Sequence, residues 1–265
     1  MGTIKQQSHR LLSFLYFQLH AKSQKGYGIH SPSVFHLVTE VLGSNPPHVT
    51  ELEKIEQLRQ QLIKDNRTVD FYDLGAGHWN HHPRIKDLIK RSASSPRKLR
   101  ALFKIAHYLQ PDKVIELGTS LGLSALTFAK ACPDAQVITI EGSPSLAREA
   151  EDNFRKLGVT SIDLRVGAFD DLLPHITSQL NLPFLAYIDG NHRYQATVNY
   201  FNAFATRLDA RSCIIIDDIH WSAEMEKAWH EICLHPKSIF CLDFFDFGII
   251  FYRTNTAKSH YCLRY

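Results

Sequence analysis

The chain has 265 residues, of which 44% are hydrophobic and 22% charged, so it can bury the core of one full domain and an appended region. Thirty basic and 27 acidic residues leave a formal net charge of +3, which is too balanced to predict nucleic-acid binding. The cysteines lack C-x-x-C spacing and are typical of reduced thiols in a cytoplasmic protein, not of a disulfide or zinc framework. They are Cys132, Cys213, Cys233, Cys241 and Cys262.

The first apolar run, Leu11 to Leu19, lies between basic residues and superficially resembles a signal peptide. Its nine residues are interrupted by Ser13 and Gln18 and are too few to span a bilayer, and no clear cleavage site follows, so we do not expect an integral membrane segment. The run predicts an amphipathic helix that docks on the rest of the fold or on a second subunit, which leaves a homodimer through the N-terminal helices open. Binding to a membrane surface is the alternative.

A glycine-rich turn, residues 26–32, comes next and ends at a helix start, since Ser31 can cap and Pro32 suits a first turn. Helical patterns follow at Val34 to Leu42 and at Glu51 to Ile63. These patterns predict an N-terminal helical appendage or lid over residues 1–95. His30 lies in the turn and either faces the active site or is solvated.

The stretch Val69 to Gly77, VDFYDLGAG, resembles a cofactor-binding turn, but no second strand ending in an acid follows it. We therefore expect an ordered loop there. His78, His81 and His82 lie beside it, and the residues around them indicate an irregular loop rather than a metal site. A cover over the substrate mouth is one role left open for this loop.

Ser92 to Pro96 is a break of small residues, and the second domain is predicted to cover residues 96–265. Beyond an amphipathic helix at Arg97 to Leu109, strands and helices alternate regularly. Strands are predicted at 114–115, 136–140, 162–166, 184–188, 213–216, 238–242 and 247–252, and helices at 124–131, 142–157, 169–179, 194–208 and 223–233. This order predicts an α/β, doubly wound, mostly parallel sheet of seven strands whose last two form a hairpin.

A cofactor cradle is predicted between Lys113 and Glu141. The first strand meets Glu116 and then a glycine turn, Gly118 to Gly122, after which a helix begins. The next strand ends in Glu141, about twenty residues past the turn, where the ribose hydroxyls of a nucleoside are bound in such units. Turn and acid together predict a nucleoside ligand.

The spacing of this turn argues against a pyrophosphate. Thr119 and Ser120 stand where a dinucleotide fingerprint has its middle glycine. An NAD-type oxidoreductase and a non-catalytic nucleoside-binding protein remain as alternatives.

The turn resembles motif I of class I S-adenosylmethionine (SAM)-dependent methyltransferases, whose Rossmann-like fold also matches the predicted sheet. The resemblance implies that Glu116, Gly118 and Ser124 lie beside the methionine part of SAM and that Glu141 holds the ribose. After the third strand, Ala168 and Phe169 stand where such enzymes hold the adenine. The predicted SAM site comprises Glu116, Gly118, Thr119, Ser120, Gly122, Ser124, Glu141, Gly142, Ala168, Phe169 and Asp189.

Acidic residues follow two later strands, at Asp189 and at Asp217-Asp218. Carboxylates at adjacent strand ends suit a hard divalent ion such as Mg²⁺ or Mn²⁺. The pattern resembles cation-dependent, catechol-type O-methyltransferases, which implies that Asp189, Asp217 and Asp218 are the metal ligands, with Asp218 in the place of the usual Asn. The alternative is that these residues cap the helices that follow them.

His192, three residues after Asp189, is where the resembling enzymes place a group near the substrate hydroxyl. We therefore predict Asp189 and His192 as catalytic residues, with His192 as the general base. His220 and Trp221 are more distant candidates for the substrate wall. Together the residues predict SAM-dependent methylation of the oxygen of a small hydroxylated molecule, assisted by a divalent cation.

Overall fold

The computed structural model describes residues 4–23, 25–46, 48–72, 80–92, 95–180 and 183–265. In chain order the helices are α1 Ile4–His20, α2 Pro32–His36, α3 Val49–Lys64, α4 Ile85–Ser92, α5 Pro96–Leu109, α6 Leu123–Ala131, α7 Pro144–Lys156, α8 Phe169–Ser178, α9 Tyr194–Ala205 and α10 Ala223–Leu234. The strands are β1 Phe71–Tyr72, β2 Asn80–His81, β3 Lys113–Leu117, β4 Gln136–Glu141, β5 Ile162–Val166, β6 Phe184–Ile188, β7 Cys213–Asp217, β8 Phe240–Asp243, β9 Phe247–Phe251 and β10 Ser259–Cys262.

The chain divides into two compact units, one of Met1–Asn45 with Leu180–Tyr265 and one of Pro46–Gln179. We call them the outer-segment unit and the middle unit, after the parts of the chain that form them. The predicted domain boundary between residues 95 and 96 stays a prediction.

The middle unit contains three parallel strands in the order β3-β4-β5. β4 reads Gln-Val-Ile-Thr-Ile-Glu, and its side chains are buried from Val137 onward. Strands buried on both faces are typical of a parallel sheet covered by helices. The parallel register pairs Glu116 with Thr139 and Glu141 with Val166, so the strands end close together where the glycine turn begins.

The outer-segment unit contains five strands in the order β10-β8-β9-β7-β6. β6 and β7 are parallel, with Ile188 paired to Ile216, and β9 runs antiparallel to both β7 and β8. The hairpin of β8 and β9 confirms the predicted antiparallel end of the sheet.

The predicted strand order omits β10, which pairs in parallel with β8. Residues 259–262 read Ser-His-Tyr-Cys and follow a polar stretch, so the sequence lacks the apolar run of the other strands. The strand forms because its backbone pairs with the free edge of β8, beginning with a hydrogen bond from Ser259 N to Ile239 O.

Two predictions in the N-terminal region also change. The helix predicted at Val34 to Leu42 is α2 followed by a π-helical segment, Leu37–Leu42. In the stretch predicted as a loop, β1 pairs antiparallel with β2, while Asp73, Gly75 and Gly77 lie outside the described residues. Pro32 begins α2 as predicted, although Ser31 makes no side-chain cap.

Helix α1 is the predicted amphipathic helix, and one side of it packs within its own unit. The rings of Phe14 and Phe17 lie 5.1 and 5.4 Å from the ring of Phe245, and Arg10 pairs with Asp246 over 3.4 Å. In the part of the chain that the structure describes, no helix is long and apolar enough to cross a membrane.

Candidate functional site: a cofactor turn and a carboxylate cluster

The predicted cofactor turn follows β3 and is built on left-handed backbone. Gly118 has φ 107°, Ser120 φ 49° and Gly122 φ 81°. The N–H groups of Gly118 and Thr119 both donate to Ile140 O, over 3.0 and 3.2 Å, which ties the start of the turn to β4. Because Ser120 has a Cβ, its left-handed conformation needs support from its surroundings.

Glu141 supplies that support. Its Oε2 accepts from Ser120 N over 2.8 Å and its Oε1 accepts from Ser143 N over 2.9 Å. The carboxylate, which is 8% exposed, therefore joins the turn after β3 to the loop after β4. Each carboxylate oxygen has a further lone pair, so these bonds leave capacity for ligand hydroxyls.

Glu116 is fully buried at the end of β3. Its Oε2 accepts from the Thr139 hydroxyl over 2.5 Å, and the Thr119 hydroxyl lies 2.6 Å from that of Thr139. Burial and, to a smaller extent, the charge of Glu141 raise the pKa of Glu116, hydrogen bonds from Ser124 and Thr139 lower it, and the net pKa is about 7. Among the described residues, none hydrogen-bonds its Oε1.

Two of the other predicted cofactor residues have roles within the protein. Thr119 as a whole is 1% exposed, and its hydroxyl bonds to that of Thr139. At Gly122, a Cβ would lie 2.4 Å from Phe154 Cε1, so this glycine makes room for α7. The predicted place of Gly122 in the cofactor site stays a prediction. Ser124, in the first turn of α6, is buried beside Glu116.

The residues predicted to hold the adenine lie between β5 and α8. Gly167 N donates to Glu141 O over 3.0 Å, which places this loop beside the end of β4. Ala168 stands at the N-cap of α8 and Phe169 is half-buried in its first turn. Gly142 lies between Glu141 and Ser143 on the neighbouring loop.

These residues fit a SAM-type cofactor. The buried Glu116 Oε1 is an acceptor for which the described residues provide no donor, and burying such a group costs free energy unless a ligand pairs with it. Glu141 adds a fixed carboxylate at the next strand end. The middle unit thus combines two acids with a left-handed turn.

The acids predicted to bind metal lie in the outer-segment unit, at the ends of the paired strands β6 and β7. Asp189 follows Ile188 directly and accepts from the Tyr187 hydroxyl over 3.2 Å. Asp217 ends β7 and is 2% exposed, while Asp218 has φ 53° and donates its N–H to Asp246 O over 2.7 Å. The helix-cap alternative is not favoured, because Ser222 caps α10 through Met225 N and Arg193 stands at the N-cap of α9.

His192 lies between two of these acids. Its Nε2 is 3.7 Å from Asp189 Oδ1 and 4.0 Å from Asp218 Oδ2. The side chain is about a third exposed, so a substrate can reach it. Asp189, His192 and Asp218 thus lie near one another after β6 and β7. Among the described residues, Asp189, Asp217 and Asp218 do not bring one ligand atom each within 4.8 Å of one another, so their role as a set of cation ligands stays a prediction.

A second buried network was missed by the sequence reasoning. His220 Nε2 lies 2.8 Å from Asp243 Oδ2 and its Nδ1 lies 2.7 Å from Glu226 Oε1, while His9 of α1 pairs with Glu226 over 3.1 Å. Burial lowers the pKa of His220, but the two carboxylates outweigh it and raise the pKa to about 9. His220 therefore stacks on Phe245 as a charged structural group, and no spacing in the sequence pairs it with Asp243.

The predicted histidines of the N-terminal region form no cluster among the residues that the structure describes. His82 pairs with Asp70 over 2.8 Å, and both side chains are exposed. His78 and the side chain of His81 lie outside the described residues. His30 is exposed.

Comparison with known proteins supports this reading of the chain. Residues 115–219 match a family model described as a methyltransferase domain. A catechol O-methyltransferase of Niastella koreensis is 32% identical over 127 residues, which cover 47% of this chain and 56% of that protein. An O-methyltransferase of Aspergillus hancockii is 29% identical over 148 residues, which cover 54% of this chain and 58% of that protein.

Among solved structures, a methyltransferase of Podospora anserina bound to S-adenosylhomocysteine (SAH) superposes with a TM-score of 0.57 at 16% identity. The match covers 96% of this chain and 98% of that one. The chain therefore has the α/β, Rossmann-like fold of methyltransferases, as predicted.

Fold and matched domain define the class: the chain is similar to class I SAM-dependent methyltransferases. Within that class it is similar to catechol-type O-methyltransferases, which confirms the resemblance read from the sequence. The chain spans a little over half the length of the two curated relatives it matches.

Proposed function

We propose that this protein is a SAM-dependent methyltransferase that methylates an oxygen of a small hydroxylated molecule with the help of a divalent cation. The observation that carries the proposal is the pair of acids at adjacent strand ends, Glu116 and Glu141, around the left-handed turn of a methyltransferase domain. The naming of both relatives as O-methyltransferases supports oxygen as the acceptor atom.

In this proposal, Glu116 and Ser124 hold the methionine part of SAM, and Glu141 accepts hydrogen bonds from the ribose hydroxyls. A carboxylate already fixed by two backbone N–H groups needs no reorganisation when it binds these hydroxyls. Phe169 offers a face against which an adenine ring can stack. When bound, SAM supplies a methyl group on a positively charged sulfur, and an oxygen nucleophile displaces that sulfur from the methyl carbon in line.

Asp189, Asp217 and Asp218 would hold the cation. They offer the hard oxygen donors that Mg²⁺ prefers, and Asp217 and Asp189 stand at the same end of two paired strands. A cation in this place would lower the pKa of a hydroxyl bound to it.

His192 is the proposed general base. Its Nε2 lies 3.7 Å from Asp189 and 4.0 Å from Asp218, so the ring stands beside the proposed cation ligands, where it can take the acceptor's proton. Methyl transfer then leaves the proton on His192 and the methyl group on the acceptor oxygen. The acceptor must lie within hydrogen-bond reach of this ring.

The proposed partners are the small-molecule acceptor and a second copy of the chain. On α1, apolar side chains that do not pack within the unit line one stripe at coiled-coil-like spacing. They are Leu11 59%, Leu12 67%, Leu15 53%, Tyr16 65% and Leu19 83% exposed. An uncharged stripe of this kind can pair with its own copy about a two-fold axis.

A labelled-methyl transfer assay tests the proposed function. Untagged protein is incubated with methyl-labelled SAM and a panel of hydroxylated acceptors, in parallel with amine acceptors, each with Mg²⁺ or with a chelator. We expect label on hydroxyl oxygen only, at a rate that the chelator reduces. Label on amines alone would contradict oxygen as the acceptor, and an equal rate in chelator would contradict the cation.

A further inference from the structure

Three side chains that commonly bind transition metals lie together on the strand β10 and its neighbour β8. One ligand atom each of Asp243, His260 and Cys262 lies within 4.8 Å of the other two. Within the residues that the structure describes, this is the one such group of three histidine, cysteine or acidic side chains. It is separate from the acids at the ends of β6 and β7.

The strand register explains why the three side chains meet. β8 and β10 run parallel, with Cys241 paired to His260 and Asp243 paired to Cys262. Residues two apart on a strand share a face, and paired residues on neighbouring strands point the same way. One face of this strand pair therefore presents two thiols, an imidazole and a carboxylate, although the sequence shows no metal-binding spacing.

The carboxylate of Asp243 is held in place from its other side. Its Oδ2 accepts from His220 Nε2 over 2.8 Å, and its Oδ1 accepts from Phe245 N over 2.8 Å. Each oxygen keeps a second lone pair for a metal ion. Hydrogen bonds to a ligating group orient it and are a recurring feature of metal sites.

We propose that Asp243, His260 and Cys262 form a zinc site that fastens β10 to β8. Oxygen, nitrogen and sulfur donors together suit Zn²⁺ and do not suit Mg²⁺. Zinc–ligand distances of about 2.0–2.3 Å place tetrahedral ligands roughly 3.5 Å apart, so the side chains need to close in by about 1 Å. His260 is exposed, so solvent reaches the site and fills the fourth position.

Binding experiments on the untagged full chain test this proposal without an activity assay. The protein is stripped with a chelator and titrated with Zn²⁺, and the bound metal is counted by mass spectrometry after dialysis. We expect one zinc per chain and a rise in melting temperature, since an ion that binds only the folded state stabilises it. Co²⁺ in place of zinc should show the charge-transfer absorption of a thiolate ligand.

Variants locate the site. Cys262→Ser and His260→Gln should each weaken zinc binding at least tenfold and abolish the rise in melting temperature. Cys132→Ser and His175→Gln are matched controls, because the Cys132 thiol donates to Ala106 O, His175 is an exposed histidine of α8, and both residues lie in the middle unit. Both controls should bind zinc as the parent does.

Melting in chelator shows whether each variant is folded. The proposal is overturned if the parent binds no more zinc than the double variant of Cys262 and His260, or if the Co²⁺ form lacks thiolate absorption. The second result needs no variant, so a folding defect does not affect it.

Discussion

The carboxylate of Glu141 accepts a hydrogen bond from the backbone N–H of Ser120, with 2.8 Å between Oε2 and N. Ser120 has a left-handed backbone, so this bond holds a conformation that a residue with a Cβ rarely adopts. The same carboxylate accepts from Ser143 N. Glu141 therefore stabilises the turn and is also the proposed ribose ligand.

Glu141→Gln should destabilise the protein. The amide keeps one acceptor oxygen but turns an NH₂ group toward a backbone N–H, and hydrogen bonds to charged groups contribute about 1.5–3 kcal/mol each. We expect the free energy of unfolding in urea to fall by about 1–3 kcal/mol. Glu151→Gln, an exposed residue of α7, is the control and should unfold as the parent does. A Glu141→Gln variant that is as stable as the parent would contradict this structural role of Glu141.

Glu116 should make stability depend on pH. Its pKa in the folded state is about 7, above its ordinary value of 4.5, so the folded state holds the proton more tightly. The stabilisation is complete below pH 4.5 and is lost as the pH rises through 7. A shift of this size corresponds to about 3 kcal/mol.

Glu116→Gln removes this dependence, because the amide stays neutral. Relative to the parent, the variant should gain stability between pH 5 and pH 8, measured as the difference in unfolding free energy at each pH. A difference that does not change with pH would show that Glu116 ionises normally.

Loss of the cation ligands should separate catalysis from cofactor binding. Asp217→Asn and Asp218→Asn should remove the cation-dependent part of the methyl-transfer rate, because each variant loses one negative ligand. Affinity for SAH should change less than twofold, since SAM-binding groups lie at other strand ends. Asp134→Asn, an exposed acid before β4, should behave as the parent. Parallel losses of affinity and rate would contradict a separate metal site.

His192→Gln should lower kcat by about 10²–10⁴-fold near neutral pH, the range expected for loss of a general base. The loss should shrink as the pH rises and hydroxide deprotonates more of the acceptor. His175→Gln, an exposed histidine of α8, serves as the control in the same pH–rate profile. A uniform loss at every pH would point to a positioning role instead.

The exposed apolar stripe of α1 should hold two copies of the chain together as a dimer. We expect a dimer in sedimentation velocity, and Leu15→Glu with Leu19→Glu should convert it to a monomer, because charges on both copies would face each other. Leu234→Glu is the control, since Leu234 is 78% exposed on α10 and is not part of the stripe. A parent protein that sediments as a monomer at high concentration would contradict the proposed dimer.

Much of the sheet could be predicted from the sequence, because strands such as Ile162–Val166 and Phe184–Ile188 are continuous apolar or alternating runs with turn residues at both ends. β10 could not be predicted, since it forms through pairing with β8 rather than through its own composition. The π-helical segment after α2 also has no signal in the spacing of its apolar residues.

The sequence predicts which strand ends form the candidate site. Glu116, Glu141 and Asp189 stand where the alternation of strands and helices places them. The contacts that define their chemistry are between residues far apart in sequence, such as Thr139 with Glu116 and His220 with Asp243. Pairwise distances of this kind depend on strand register, which the sequence alone does not specify.

The central claim is that the turn around Ser120 receives a SAM-type cofactor whose ribose binds Glu141. Titration calorimetry with SAH, on the parent and on Glu141→Ala, tests it most directly. We predict one SAH per chain for the parent and affinity reduced at least tenfold for the variant, with Glu151→Ala binding as the parent does. No heat of binding with either SAM or SAH, or an affinity that the loss of Glu141 leaves unchanged, would contradict it.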